Sequence, residues 1–202
     1  MKTILVYVFY LLVIVAGLFA GGVSALWMSG LLGKSTISSF ATVNVNNWTT
    51  DPSIGAASAD AYTRARIARH GLLALAKEEA IYFARSTDDD GEPLLEACSY
   101  ELKGGPQEAL WWSITLYDND SRLPMNDDNR LSIDATLVGN TDEWSAIISS
   151  DQPDAPFWLS SRSAGQFDLT LRLYQPEPGV IEDSRQRLFA PSVQKVDCEG
   201  SP

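Results

Sequence analysis

The feature that most constrains this chain is a long uncharged segment at its amino end. Residues 3–33 carry no charged side chain, and the stretch Ile4–Met28 is long enough as a helix to cross a hydrocarbon layer of about 30 Å. We therefore predict a transmembrane anchor over residues 1–33. The alternative is a cleaved secretory signal, because Val23-Ser24-Ala25 has the small residues of a cleavage site; the apolar run is longer than such signals usually have.

Small residues recur along this segment. Gly17, Gly21 and Ala25 fall on one face of the predicted helix, and such a face lets two helix backbones approach closely in a membrane. We predict that this face packs against another membrane helix, from a second copy of the chain or from another envelope protein. The alternative is that glycine is simply frequent in membrane helices.

The two cysteines indicate the compartment. Cys98 and Cys198 both lie beyond the apolar segment, and an even pair in an exported domain predicts a disulfide. The alternative is two unpaired thiols in a cytoplasmic domain. Lys2 before the segment and Lys34 after it give only a slight preference for orientation. We predict a cytoplasmic amino terminus and an exported domain.

The charge balance excludes one large class of partner. All 26 acidic residues and 13 of the 15 basic residues lie at or beyond position 35, which leaves that part of the chain near −13. Nucleic-acid binding needs a basic surface for the phosphate backbone, so we predict no nucleic-acid partner. A negative net charge also repels anionic lipid headgroups.

The chain beyond the anchor divides into a connector and a domain. Residues 34–59 are rich in small polar residues with little periodicity, which predicts a linker. The domain, residues 60–202, is predicted to begin with an amphipathic helix over 60–76, with Asp60 as its N-cap. Its narrow apolar face should pack closely on a sheet. That face comprises Ala61, Ala65, Ala68, Leu72, Leu75 and Ala76, and the residues pointing away are Arg64, Arg66 and Arg69.

After this helix the apolar period changes to two, which indicates strands. The predicted strands are AIYFARST (80–87), LLEACSYELKG (94–104), ALWWSITLYD (109–118), RLSIDATLVG (130–139), EWSAIISS (143–150) and FDLTLRLYQPEP (167–178). The turn signal DDDG at 88–91 predicts that the first two form a hairpin. The fold class is therefore mainly β: an antiparallel, jelly-roll-like sandwich with one amphipathic helix, preceded by a single transmembrane α-helix.

Two adjacent tryptophans distinguish the faces of the predicted sheet, because neighbouring side chains in a strand point to opposite sides. Trp112 shares a face with Ile114 and Leu116, and we predict that it lies in the core. Trp111 lies on the opposite, mixed face, under a helix or linker or on an interaction surface. The side chains of this mixed face that suit a ligand or partner surface are Trp111, Tyr117, Arg172 and Tyr174.

Six segments in a fixed order resemble the domain-of-unknown-function family numbered 1214. They are YTRARIARHGLLAL (62–75), EAIYF (79–83), WWSITLYD (111–118), LPMNDDNRLSI (123–133), FWL (157–159) and FDLTLRLYQP (167–176). The resemblance covers about residues 48–198. It implies a β-sandwich with a helical lead-in, in a bacterial protein, without a known reaction to transfer.

The sequence lacks the motifs of common reaction centres. Its one histidine, His70, lies among arginines, and no Gly-x-Ser-x-Gly elbow, histidine pair or Cys-x-x-Cys occurs. The acidic clusters at 88–91 and 126–129 could bind calcium but lack EF-hand spacing, so we interpret them as solvated turns. We predict no catalytic residue, no metal and no cofactor.

These features favour a non-enzymatic function in the bacterial envelope. We predict an inner-membrane protein whose periplasmic domain serves as an interaction or accessory subunit of a larger complex. The alternatives are a carbohydrate- or small-ligand-binding module that uses the exposed aromatic rings, and a hydrolase that uses carboxylates placed by the fold.

Overall fold

The structure, a computed structural model, describes residues 2–32, 41–69, 75–139, 141–180 and 182–198. Helix α1 (Lys2–Met28) forms the amino end, and its side chains lie exposed along almost its whole length. Thr3–Met28 is long and apolar enough to cross a membrane. The structure therefore contains the helix that the uncharged segment predicts.

The rest of the described chain is mainly β. The further helices are α2 (Ala61–Arg69), α3 (Ala135–Val138) and α4 (Ser184–Arg187). The strands are β1 (Val43–Val45), β2 (Trp48–Thr50), β3 (Ala80–Arg85), β4 (Cys98–Gly104), β5 (Ala109–Asp118), β6 (Ser132–Asp134), β7 (Trp144–Ser149), β8 (Trp158–Ser160), β9 (Phe167–Pro176) and β10 (Ser192–Cys198).

The strands form two sheets. The larger sheet is antiparallel and has the order β1-β2-β3-β9-β5-β6. The smaller sheet has the order β10-β4-β7-β8 and is mixed, because β7 and β8 run parallel.

Side chains from both sheets contribute to one core. Trp112 of β5 stacks on Trp144 of β7 with ring centroids 5.0 Å apart, and Tyr100 of β4 meets Phe167 of β9 edge to face at 5.9 Å. The predicted alternation is confirmed in the two longest strands. Their buried residues on this side are Trp112, Ile114, Leu116, Phe167, Leu169, Leu171 and Leu173.

The disulfide prediction is confirmed. Cys98 and Cys198 are directly opposite one another on β4 and β10 and form a disulfide. The bond closes a separation of 100 residues between the start of β4 and the end of β10. The alternative of two unpaired thiols is therefore wrong.

The predicted hairpin between the first two strands is wrong. β3 pairs with β9 over six residues, from Ala80 to Arg85, and β4 belongs to the other sheet. Within the segment between β3 and β4, Thr87 and Pro93 form an isolated antiparallel bridge. The ten-residue strand β9 pairs with all six residues of β3, so β3 gains many more backbone hydrogen bonds from β9 than a hairpin closed by the turn at 88–91 provides.

Two predictions of element type also need correction. The segment 130–139 forms the short strand β6 and then turns into α3, because the Asp134 carboxylate accepts hydrogen bonds from the amides of Thr136 and Leu137 and caps a helix. The predicted linker 34–59 contains β1 and β2, which extend the larger sheet.

The lead-in helix is shorter than predicted and buries a different face. Helix α2 spans Ala61–Arg69, residues 70–74 lie outside the described part, and Leu75 and Ala76 are not helical. Ala61, Ala65 and Ala68 are exposed, whereas Thr63 is buried and Ile67 packs on the protein. Alanine offers little apolar area, so the larger Ile67 decides which face turns inward. His70 and Leu72 fall outside the described residues.

Candidate functional site

The four side chains predicted for a ligand or partner surface share one face of the larger sheet. We call this the outer face, defined by Trp111, Tyr117, Arg172 and Tyr174. Trp111 is directly opposite Tyr174 in the β5–β9 register, and their ring centroids are 5.3 Å apart. All four side chains are partly exposed. Strand alternation thus brings together residues that are 63 positions apart in the case of Trp111 and Tyr174.

Arg172 links the outer face into a cluster. Its Nη2 donates a hydrogen bond of 2.8 Å to the Tyr117 hydroxyl, and its guanidinium lies 5.4 Å from the Tyr117 ring centroid and 6.0 Å from that of Tyr82. Tyr82 is directly opposite Arg172 on β3. The sequence search missed Tyr82, although its alternation with Ala80 and Ala84 places it on this side.

The outer face is covered at one end. Ile67 of α2 and the buried Ile54 pack with Tyr82 and Tyr174, so the part of the outer face around Tyr174 lies under α2. Trp111 instead donates a hydrogen bond of 2.9 Å from its Nε1 to the Thr136 hydroxyl of α3. Trp111 is therefore half-buried beside α3, and Tyr117 and Arg172 are the members of the outer face that lie away from both helices and stay partly exposed.

Asp168 lies on the same side as the cluster, opposite Tyr117. Burial raises the pKa of its carboxyl to about 7, the neighbouring Asp118 carboxylate adds to the increase, and Arg172 opposes it. Amides of Asp120 and Arg122 donate to Asp118 and hold it in a turn. Asp168 is therefore a carboxyl with a raised pKa at the edge of the outer face.

Asp168→Asn is expected to stabilise the protein at pH 8 and to change little at pH 4. The native state holds a proton that the unfolded state releases between about pH 4 and 7, so the free energy of unfolding of the wild type falls as the pH rises through this window. We expect a gain of about 1 to 2 kcal/mol at pH 8, reduced by the partial exposure of the side chain. Urea unfolding at both pH values measures it. Equal stabilisation at pH 4 would exclude the titration as its cause.

A cleft of about 550 Å³ opens on the smaller sheet. Its lining includes Lys103, Gly104, Glu143, Trp144, Phe189 and Ser192. Gly104 is directly opposite Trp144 in the β4–β7 register, and a Cβ at position 104 would overlap the indole ring, so glycine is required there. Among the described residues of this lining, Glu143 is the one carboxylate.

The acidic clusters serve as structural turns. Asp88 is buried rather than solvated, contrary to the sequence interpretation, and its Oδ1 accepts hydrogen bonds from the amides of Asp90 and Glu92. Asp128 accepts a hydrogen bond of 2.6 Å from the Ser160 hydroxyl. Among the described residues, no group of three or more potential metal ligands comes together.

The predicted packing face of the anchor is open. In the part of the chain that the structure describes, no atom outside the helix lies within 4 Å of a Cβ placed at Gly17 or Gly21. Ala25 is half-buried one turn further on. The structure thus leaves a shallow groove along one side of α1, of the kind that accepts a second helix backbone.

The fold is similar to that of a bacterial protein whose structure has been solved. The crystal structure of the VPA0106 protein from Vibrio parahaemolyticus matches with a TM-score of 0.55 and 22% sequence identity, over 69% of this chain and 36% of that chain. The chain thus spans about a third of that protein. An uncharacterized protein from Burkholderia cenocepacia matches with a TM-score of 0.43 and 10% identity, over 58% and 30% of the two chains. No curated protein matches the sequence.

The family match covers the strands that build the outer face. The model for a protein of unknown function, DUF1214, matches residues 79–178, from the start of β3 to just beyond β9. This range includes Trp111, Tyr117, Arg172 and Tyr174, and it is narrower than the 48–198 that the resemblance suggested. Residues 79–178 of this chain therefore match the DUF1214 family, the family that the sequence resembles.

Proposed function

We propose that this protein is a membrane-anchored, non-enzymatic subunit of a complex in the bacterial envelope. In this proposal α1 stays in the inner membrane with its amino end in the cytoplasm. The two sheets pack as a jelly-roll-like β-sandwich in the periplasm, and the protein acts by association with other membrane or envelope proteins. Its partner is a second copy of the chain or a different subunit.

The observation that carries the proposal is the exposed apolar surface of α1. A helix of 27 residues leaves large apolar side chains in solvent, among them Leu18 at 72% and Phe19 at 74% exposure. Soluble proteins rarely leave so large an apolar surface uncovered, so lipid and partner helices are its expected surroundings. The groove at Gly17 and Gly21 is the part of this surface that favours a helix over lipid.

Two further observations support the compartment and the architecture. A disulfide such as Cys98–Cys198 persists in oxidising compartments, and the bacterial periplasm is one of them. The stacking of Trp112 on Trp144 between the two sheets favours a sandwich, because each sheet buries one side against the other.

Gly17→Leu and Gly21→Leu are expected to dissociate the complex formed by α1. A leucine side chain fills the groove and keeps helix backbones apart, so the full chain in mild detergent should change from an oligomer to a monomer. Light scattering after size-exclusion chromatography measures the mass. Gly22→Leu is the matched control, because Gly22 is equally open but lies on another side of the helix.

The same measurement separates this proposal from its alternative. Small-ligand binding at the outer face, favoured by the Arg172–Tyr117 cluster, requires no association of α1. A wild-type chain that is already monomeric in native-lipid particles, and that Leu at 17 or 21 leaves unchanged, would contradict the subunit proposal and favour the ligand-binding alternative.

A further inference from the structure

Helix α2 is a cationic segment in an acidic protein. Arg64, Arg66 and Arg69 fall within six positions, and no acidic residue occurs between 61 and 69. The nearest carboxylate, Asp60, accepts hydrogen bonds from Thr63 and from the Tyr62 amide, which lower its pKa and fix it as the helix cap. α2 is therefore a positively charged segment within a part of the chain whose net charge is near −13.

This cationic helix lies at the end of the membrane helix. Arg66 Nη1 donates a hydrogen bond of 3.2 Å to the carbonyl oxygen of Met28, the last residue of α1. The turn that follows α1 is partly enclosed by protein, since Ser29 is 8% exposed and Gly30 is also buried. One side-chain length thus separates α2 from the point where α1 ends.

The surroundings of this point are those of a membrane surface. Trp27 is 71% exposed near the end of α1, and Leu31 and Leu32 are exposed just beyond it. Tryptophan is enriched at the level of the lipid headgroups, and apolar side chains beside basic residues are typical of segments that lie in that layer. A span that ends at Met28 therefore places α2 at the height of the headgroup phosphates.

We propose that α2 rests on the membrane surface and that Arg64 binds the phosphate of an anionic phospholipid headgroup, while Arg66 holds α2 at the end of α1. Arg64 is exposed and donates from Nη2 to the Ala57 carbonyl. It forms no ion pair with a carboxylate of the described residues. A guanidinium has five N–H donors in a planar fork that fits a phosphate, so Arg64 keeps donors for a lipid. The inference rests on the proposed function only in placing α1 in a bilayer.

Hydrogen exchange of the full chain in lipid nanodiscs tests this proposal. The amides of α2 are compared in discs of neutral phosphatidylcholine and in discs with about one third phosphatidylglycerol. We expect roughly tenfold slower exchange in the anionic discs, since each arginine near a charged surface contributes to binding, and the effect should fade at high salt.

Variants identify the side chains responsible. Arg64→Gln should abolish the difference between the two lipids, whereas Arg64→Lys should retain most of it. Arg122→Gln is the matched control, because Arg122 is also exposed and the charge change is equal. Loss of the difference in that control would attribute it to net charge and overturn the proposal.

Other outcomes separate this inference from the proposed function. Equal exchange in both lipids, with the chain incorporated in the discs, overturns the headgroup site alone. Slower exchange in neutral discs on adding inorganic phosphate would make the site one for free phosphate and would also overturn it. A chain that does not enter the discs contradicts the anchor and the headgroup site together.

Discussion

Cys98→Ser combined with Cys198→Ser is expected to lower the free energy of unfolding by about 4 to 5 kcal/mol. The bond closes a separation of 100 residues, and in the chain-entropy model a loop of this size restricts the unfolded chain by about that amount. Urea unfolding of the full chain in mild detergent, followed by tryptophan fluorescence, measures the change. Small domains have total stabilities of about 5 to 15 kcal/mol, so this loss would leave the fold marginal.

The reduced wild type provides the control. A chain treated with reductant should unfold at the same urea concentration as the double serine variant, because both lack the bond and keep the same core. A single serine variant should behave like the double one. A loss below about 1 kcal/mol would show that strand pairing between β4 and β10 already restricts the unfolded ensemble, contrary to the chain-entropy account.

Arg85→Met is expected to cost about 3 to 5 kcal/mol. The guanidinium is fully buried; its Nε donates to the Thr87 carbonyl at 2.6 Å and its Nη1 to the Pro191 carbonyl at 3.1 Å. Nη2 forms an ion pair with Asp89, and the cation lies 5.9 Å from the ring of Trp48. Methionine fills part of the space but leaves the acceptors without a donor, which is the costly outcome for buried polar groups.

Charge and geometry at this position can be tested separately. Burial lowers the pKa of Arg85 and the Asp89 carboxylate opposes that change, so the ion pair offsets part of the burial cost. Arg85→Lys keeps the charge but loses the planar fork, and we expect an intermediate loss. Thermal and urea unfolding of the wild type, Arg85→Met and Arg85→Lys measure the loss of stability. Equal midpoints for wild type and Arg85→Met would contradict a structural role of this network.

The long strands of the larger sheet could be predicted because burial of one side imposes a period of two. Trp112 and Leu171 lie in the core, and Trp111 and Arg172 lie on the outer face, as the alternation in β5 and β9 predicts. The same logic places the four predicted surface residues together. The pattern is local, so each strand can be assigned without knowledge of its neighbours.

The features that the sequence did not show depend on contacts between distant segments. β1 and β2 are three residues each. The indole of Trp48 in β2 is buried, and its Nε1 donates a hydrogen bond to the Pro191 carbonyl, 143 residues away. The pKa of Asp168 depends on Asp118, which another strand brings near. The partner of β3 is likewise a distant segment, because β3 pairs with β9, which lies far along the chain. No short window of sequence contains these interactions.

The carbonyl of Pro191 accepts hydrogen bonds from both Trp48 and Arg85, so the first and last parts of the described domain meet at one oxygen atom. The neighbouring strand β10 pairs with β4, and the disulfide partners on these two strands are 100 residues apart, about half of the chain. During synthesis, therefore, the core cannot close until β10 has emerged, and until then the Trp48 indole and Arg85 Nη1 lack this acceptor. Such long-range closure slows folding, and removal of residues 191–198 should therefore be far more damaging than the exposed side chains at 194–197 imply.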